Sequence, residues 1–345
     1  MKDSCIIPTD YQGEYNKRLT ERLIQNCQLN FEQYLMEDLN LQLVGSPLFL
    51  EKDSGLNDDL NGIEKAVSFS PNNNGTTHLE VIHSLAKWKR NYLADSCFDE
   101  GEGILTRMNA IRKDEILSNI HSYNVDQWDW EKIISKEDRK LEFLKSTVRK
   151  IYNALRLAQE DARKEIYSTY AQLPNQITFI HSEELLELYP GLLPKEREHE
   201  IVKKHKSVFI IGIGDNLSNG IPHDFRAPDY DDWSTEQEGL KGLNGDILVW
   251  NNILEAPLEI SSMGIRVDRA ALIHQLEITG TSERLELPFH SKVINDEVPF
   301  TIGGGIGKSR IAMFLLEKAH IGEVQKSYWP AEIQNQCEQN QIVLL

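Results

Sequence analysis

Cysteine is scarce in this chain: Cys5, Cys27, Cys97 and Cys337 are the four in 345 residues. They are far apart in sequence and form no C-x-x-C pair, so neither a zinc site nor a disulfide framework is expected, only reduced thiols in a cytoplasmic protein. Positive charge is also in deficit. Lys and Arg number 37 against 54 Asp and Glu, a formal net charge of -17. Broad grip on nucleic acid needs a basic footprint, so tRNA and DNA are not expected partners. A small anion in a locally basic pocket stays compatible with this balance. No run of about 18 apolar residues occurs, so no membrane span is expected. The opening Met1-Lys2-Asp3-Ser4 lacks the apolar core of a secretory leader. The glycosylation patterns at Asn74 and Asn216 would matter only in a secreted chain. What remains is ordinary globular composition, 40% hydrophobic and 26% charged. The length suits one large domain or two modest ones.

Two phosphate-binding motifs are missing as well. Gly307-Lys308-Ser309 resembles the end of a P-loop, but the first glycine of that pattern would fall at Ile302. Gly212-Ile213-Gly214 resembles a dinucleotide fingerprint, but its third glycine would fall at Leu217. The glycine-rich stretch itself is real: Gly303, Gly304, Gly305 and Gly307 precede Arg310 and an apolar run over 311–316. Such a stretch lets backbone approach a planar or anionic ligand closely. The helix start behind it adds N–H donors and a positive dipole end. The alternative is a glycine-rich turn before a core helix.

Periodicity orders the rest. Leu19, Leu23, Cys27, Phe31, Leu35 and Leu39 recur every four residues, predicting a helix over 15–39. A strand at 41–44 edged by Pro47 follows; helix and strand form either a dimer seam or a domain edge. An acidic loop spans 53–61 and is expected to face solvent. A hairpin turn is expected near 72–77 between strands at Val67 and Leu79. A basic helix over 85–94 carries Lys89, and a strand over 105–111 delivers Arg112. Around 123–130, alternation sets Val125, Gln127 and Asp129 on one face and Asp126, Trp128 and Trp130 on the other. That arrangement is either a polar pocket floor or a solvated strand face. A long charged helix is expected over 137–170, a strand over 177–180, and a helix capped by Ser182. Another helix over 195–205 and a buried strand over 207–213 follow, and helices are expected over 269–279 and 284–294.

Strands at 246–250 and 258–261 suggest a hairpin. With its turn at Asn252-Ile253, Asp246 and Glu259 fall opposite one another. Facing carboxylates are destabilising unless a divalent cation such as Mg²⁺ bridges them; a slipped register with both acids in water is the other reading. The order of parts is no βαβ alternation. It predicts an α+β fold, a mostly antiparallel sheet flanked by helices.

Several blocks resemble ammonia-dependent asparagine synthetases, the aspartate–ammonia ligases. They are the runs at 83–90 (HSLAKWKR), 125–130 (VDQWDW), 226–233 (RAPDYDDW), 242–250 (GLNGDILVW) and 259–267 (EISSMGIRV), with the glycine-rich stretch. The resemblance covers roughly residues 45–330. It implies the class II aminoacyl-tRNA synthetase-like core as a single catalytic domain, with a helical segment at 1–40, an adenylate-forming core at 41–330 and a tail at 331–345. It implies that L-aspartate, ATP and ammonia become L-asparagine, AMP and pyrophosphate through β-aspartyl-AMP, with Mg²⁺.

Residue by residue, the resemblance makes Arg112 the group that neutralises charge at the α-phosphate, and Arg310 a partner of the nucleotide. Asp231 and the glycines 303, 304, 305 and 307 join the nucleotide site. Asp246 and Glu259 become metal ligands. Lys89, Gln127, Asp129, Ser262 and Arg266 hold aspartate, and Asp58 holds ammonium or accepts its proton. The chain departs from the family pattern in reading Asp58-Asp59-Leu60-Asn61-Gly62 where Asp-Asn-Leu-Ser-Gly is expected, Lys308 for glutamine and Asn216 for lysine. A tRNA synthetase would need an anticodon-binding domain, for which the core leaves no room. A nucleotide-binding protein without catalysis would be expected to lose some of Arg112, Asp246, Glu259 and Arg310, and all are present. A glutamine-dependent enzyme would need Cys at position 2, which is Lys, so free ammonia is the expected donor. A homodimer is expected.

Overall fold

The computed structural model describes residues 5–9, 11–13, 16–58, 64–72 and 77–345. The four-residue apolar repeat forms α1 (Lys17–Leu39), burying Leu23, Cys27, Phe31, Leu35 and Leu39. Asn16 starts it, its side chain accepting from Leu19 N–H at 3.0 Å. Asn40 ends it in the left-handed region at φ 57°, a conformation asparagine tolerates. Next come β1 (Leu41–Leu43) and a small antiparallel sheet of Phe49–Glu51, Leu79–Val81 and Ser68–Phe69. α2 (Ala86–Ala94), β2 (Gly103–Ile111), β3 (Asn124–Ile133) and the long α3 (Leu141–Ile166) follow. Then come β4 (Thr178–His181), α4 (Ser182–Leu188), α5 (Pro194–His205) and β5 (Ser207–Ile211). The chain continues through β6 (Asn244–Asn251), β7 (Ala256–Ile265), α6 (Arg269–Thr279) and α7 (Pro288–Ile294). It closes with β8 (Thr301–Gly307), α8 (Lys308–Leu315) and α9 (Ala331–Gln339).

Eight strands make one sheet in the order β1-β2-β3-β8-β7-β6-β5-β4. Its inner pairs are antiparallel. Only the edges, β1 on β2 and β4 on β5, are parallel. The mostly antiparallel α+β expectation therefore holds. β3 divides the two layers. Trp128 and Trp130 are fully buried among α1 and α3, with the Phe31 ring 5.0 Å from Trp128. The opposite face carries Gln127, Asp129 and Glu131 beneath α2. Each large apolar side chain so buried contributes about 1.5–3 kcal/mol, which is what seats α1 on the sheet. Ile333, Cys337 and Ile342 join the same core, so the tail packs against it. No helix among the described residues is long and apolar enough to cross a membrane.

Three local expectations need correction. The cap of α4 is His181, not Ser182: the imidazole accepts from Glu183 N–H at 3.0 Å, while Ser182 donates to Gly212 O at 2.7 Å. The helix expected over 284–294 is a 3-10 turn, Ser282–Glu286, followed by α7. Pro288 takes the first helical position, where its missing N–H costs nothing. In the acidic loop, residues 59–61 lie outside the described residues, yet Asp58 is only 4% exposed rather than facing solvent. The hairpin turn at 72–77 lies mostly outside them too, at 73–76, but its flanking strands pair through Phe69 and Leu79. The four cysteines are free thiols, and Cys5 and Cys337, far apart in sequence, come together beside His320.

Candidate active site

A cavity of about 430 Å³ opens over β3, β7 and β8, on the sheet face away from α1. Gln127 and Asp129 of β3, Ser262 of β7 and Gly304, Gly305 and Gly307 all line it. The alternation read from the sequence thus makes a pocket floor rather than a solvated face. The glycines also let the strand pack closely against neighbouring groups. A Cβ on Gly303 would fall 2.0 Å from Glu131 Oε2 and 2.6 Å from Arg266 Nη2. One on Gly304 would meet Met263 Cβ at 2.6 Å, and one on Gly305 would meet Gln127 Oε1 at 2.9 Å. At these three positions the missing Cβ makes room for the protein's own side chains.

Beneath that floor runs a ladder of alternating charge. Lys89 is fully buried and donates to Asp129 Oδ1 at 3.0 Å, Trp130 O at 2.9 Å and Gly304 O at 3.2 Å. An ammonium has three N–H bonds, so each one has an acceptor. Burial lowers its pKa, against the pull of Asp129 and Glu131. Glu131 accepts from Arg266 Nε at 2.9 Å and Nη2 at 2.7 Å, and from Thr301 Oγ1 at 2.7 Å. Burial alone would raise Glu131, but Arg266 and Lys89 bring it below its ordinary value. Arg266 Nη1 donates to Asp231. Arg226 extends the ladder, its Nε 3.5 Å from Asp231 Oδ2 and its Nη2 donating to Asp246 Oδ1 at 2.6 Å. Its Nη1 donates to Ser262. Burial works to lower both arginines, and their carboxylates hold both above their ordinary values. Asp231 still sits above its own, because burial outweighs its two arginines.

The rim is less tightly held. Arg112 follows β2, with Nη1 4.0 Å from Glu115 Oε2 and a buried Nε that has no partner among the described residues. Arg310, in the first turn of α8, donates to Glu259 O at 3.0 Å and lies 3.7 Å from Glu259 Oε1. His121 is pushed down to about 4 by burial, then by Arg310 and Arg112. Asp58 lies on the same wall, its carbonyl 3.2 Å from His83 Nδ1.

The acid hairpin has a different register from that expected. Asp246 stands opposite Ser262 and Glu259 opposite Leu248, with a bulge between Ile247 and Leu248. The two acids still sense one another: after burial, Glu259 raises Asp246, against Arg226. Glu131, Arg226 and His121 were not singled out by sequence reasoning. Glu131 was detectable, because it continues the Gln127–Asp129 face of β3 by one more alternation. Arg226 and His121 sit in loops, where no periodicity marks them.

Two kinds of likeness follow from this arrangement. The asparaginyl-tRNA synthetase of Pyrococcus horikoshii, complexed with asparaginyl-adenylate, superposes with a TM-score of 0.68 at 13% identity, over 91% of this chain and 70% of that one. The Entamoeba histolytica enzyme with asparaginyl-adenylate gives 0.65 at 14%, over 91% and 68%. The fold is that of the class II aminoacyl-tRNA synthetases. Sequence is more particular. The aspartate–ammonia ligase of Parabacteroides distasonis is 50% identical over 99% of both chains. That of Malacoplasma penetrans is 53% identical over 94% of this chain and 98% of its own. The family profile described as Aspartate-ammonia ligase matches residues 18–341. The chain belongs to the aspartate–ammonia ligase family, whose reaction is the ATP-dependent synthesis of asparagine from aspartate and ammonia.

Proposed function

We propose that the cavity makes and consumes β-aspartyl-AMP, with the chemistry divided between its floor and its rim. The observation that carries this reading is the convergence on one cavity of Arg112 and Arg310 with Gln127, Asp129, Ser262 and Arg266. Asp129 and Gln127 bind the α-amino group of aspartate. Ser262 and Arg266 meet its carboxylates. Lys89, its protons taken by Asp129 and two carbonyls, orients Asp129 and contributes field rather than a free donor. The β-carboxylate attacks the α-phosphorus and pyrophosphate leaves. Arg112 offsets the charge that builds there, a role worth about 10²–10³ in rate for a single donor. Arg310 packs along the nucleotide with its planar guanidinium, and Asp231 and the Gly305–Gly307 edge complete that side. Ammonia then attacks the β-carbonyl and AMP leaves. Asp58 holds the ammonium and accepts a proton from it.

Mg²⁺ fits Asp246 and Glu259. Burial raises Asp246 against Arg226, and Glu259 raises it further, so a cation held between the two carboxylates would offset their mutual repulsion. The ion would offset phosphate charge. Glu259→Gln should raise the Mg²⁺ concentration needed for half-maximal rate, and an unchanged requirement refutes this ligand. We further propose a cytoplasmic homodimer joined near the β1 edge, where Leu43, Leu48 and Phe49 are exposed; a monomer mass by light scattering would exclude the dimer.

The deciding experiment supplies aspartate, MgATP and ammonium to the full chain. AMP and pyrophosphate should appear in step with asparagine, and glutamine should replace ammonium poorly. Release of ADP and phosphate would exclude the adenylate.

A further inference from the structure

The cysteines lie outside the machinery above, yet two of them share a site. Cys5 Sγ, Cys337 Sγ and a ring nitrogen of His320 lie within 4.8 Å of one another. His320 and Cys337 are fully buried, while Cys5 is partly exposed. A soft metal and a thiol couple would both use such a set, and the imidazole distinguishes them. Gly322 N–H donates to His320 Nδ1 at 3.0 Å, so Nδ1 is an acceptor and the ring proton sits on Nε2. Nε2 is buried without a hydrogen-bond partner among the described residues. Trp329 packs edge-on against the ring at 4.6 Å and restrains it. The Nδ1 lone pair is engaged by Gly322 and is not free for a metal, while an imidazole beside the two sulfurs favours a thiolate. In keeping with this, donation from Cys337 and His320 holds the Cys5 thiol well below the usual range despite burial, while Cys337 is raised.

We propose that Cys5 and Cys337 form a reversible, peroxide-driven disulfide that staples the N-terminal segment to α9 behind the active-site wall. The Cys5 sulfur attacks one oxygen of hydrogen peroxide and breaks the O–O bond. The Cys5 sulfenic acid forms, and the departing hydroxide takes up a proton as water. The Cys337 sulfur then attacks the Cys5 sulfur. The S–O bond breaks, and hydroxide leaves with the Cys337 proton as a second water. The two thiols lose two electrons and the peroxide gains them. A dithiol reverses the step by exchange.

The staple is wired to the cavity. Ile6 N–H donates to Asn119 Oδ1 at 2.6 Å, and Asn119 Nδ2 donates to Ile6 O and Ala319 O, both at 2.8 Å. Ile321 N–H donates to Asn119 O at 2.7 Å. Asn119 belongs to the same loop as Arg112 and His121, so the linked segments border the loop that carries the rim.

The test treats the full chain with hydrogen peroxide and maps non-reduced peptides by mass spectrometry. A Cys5–Cys337 cross-link should dominate and disappear with dithiothreitol. In Cys337→Ser, Cys5 should instead be captured as a sulfenic acid by dimedone; Cys5→Ser should leave Cys337 as a thiol. Preferential oxidation of exposed Cys97, with Cys5 and Cys337 still alkylatable in the wild type, would overturn the proposal. So would retention of one equivalent of added Zn²⁺ through dialysis that Cys5→Ser abolishes.

Discussion

The floor and the rim of the cavity are built on opposite plans. On the floor, Lys89, Glu131 and Arg266 are almost wholly buried, and every one is fixed by short charge-assisted bonds. On the rim, the Arg112 side chain is 28% exposed and that of Arg310 21%, with their acidic partners at 4.0 and 3.7 Å. A buried ion pair is costly to form and costly to break, so the floor is preorganised before substrate arrives. The rim cations keep unspent interactions that an anionic ligand can take up. The difference assigns geometry to the floor and electrostatic response to the rim.

The largest expected effect tests the floor through its glycines. Gly303→Ala sets a methyl 2.0 Å from Glu131 Oε2, and that carboxylate cannot swing aside because Arg266 and Thr301 hold it. Overpacking together with a disrupted buried pair should cost about 3 kcal/mol or more in urea unfolding. Gly307→Ala meets Arg310 Cβ at 3.2 Å, and should cost under about 1 kcal/mol. Equal losses at the two positions would erase the contrast between floor and rim.

Arg112→Ala probes the rim alone. It should lower kcat about 10²–10³-fold while moving unfolding free energy by less than about 0.5 kcal/mol. A stability loss as large as that of Gly303→Ala would show that Arg112 belongs to the scaffold instead.

The same division explains what could be read in advance. Features set by local periodicity were legible: the four-residue repeat of α1, the alternation that turns Gln127 and Asp129 away from Trp128, and the glycine-rich strand. The motif blocks also named residues that converge on one cavity, Asp246 and Gly303 excepted. Pairings across long sequence separation were not legible. Nothing local joins Glu131 to Arg266, which the sheet order brings together, or Cys5 to Cys337, which meet where α9 packs beside the N-terminal segment. The Asp246–Glu259 register failed because the turn centres on Ile253-Leu254, one residue later than expected, which sets Glu259 against Leu248; the bulge between Ile247 and Leu248 then moves Asp246 one further, onto Ser262. The glycines were legible, but not the packing beside them: only the fold shows that Glu131, Met263 and Gln127 lie where a Cβ would point.

The pH-dependent effect belongs to His121, whose burial and two arginine neighbours make it responsive to rim charge. Its ordinary value is 6.5, and in the fold it is about 4. Between those values the unfolded chain binds a proton that the folded chain refuses. The group's contribution to stability is therefore complete above pH 6.5 and is lost as pH falls toward 4. Allowing for its partial exposure, the loss is on the order of 1–2 kcal/mol. His121→Asn should flatten the slope of unfolding free energy across that window relative to the parent chain. Nucleotide phosphates near Arg112 and Arg310 would offset the two cations and raise His121 toward its ordinary value. Saturating ATP should therefore reduce the parent's slope, though by less than the substitution does, because burial, the larger cause of the shift, remains. A parent slope indifferent to ATP would mean that the phosphates do not settle at this rim.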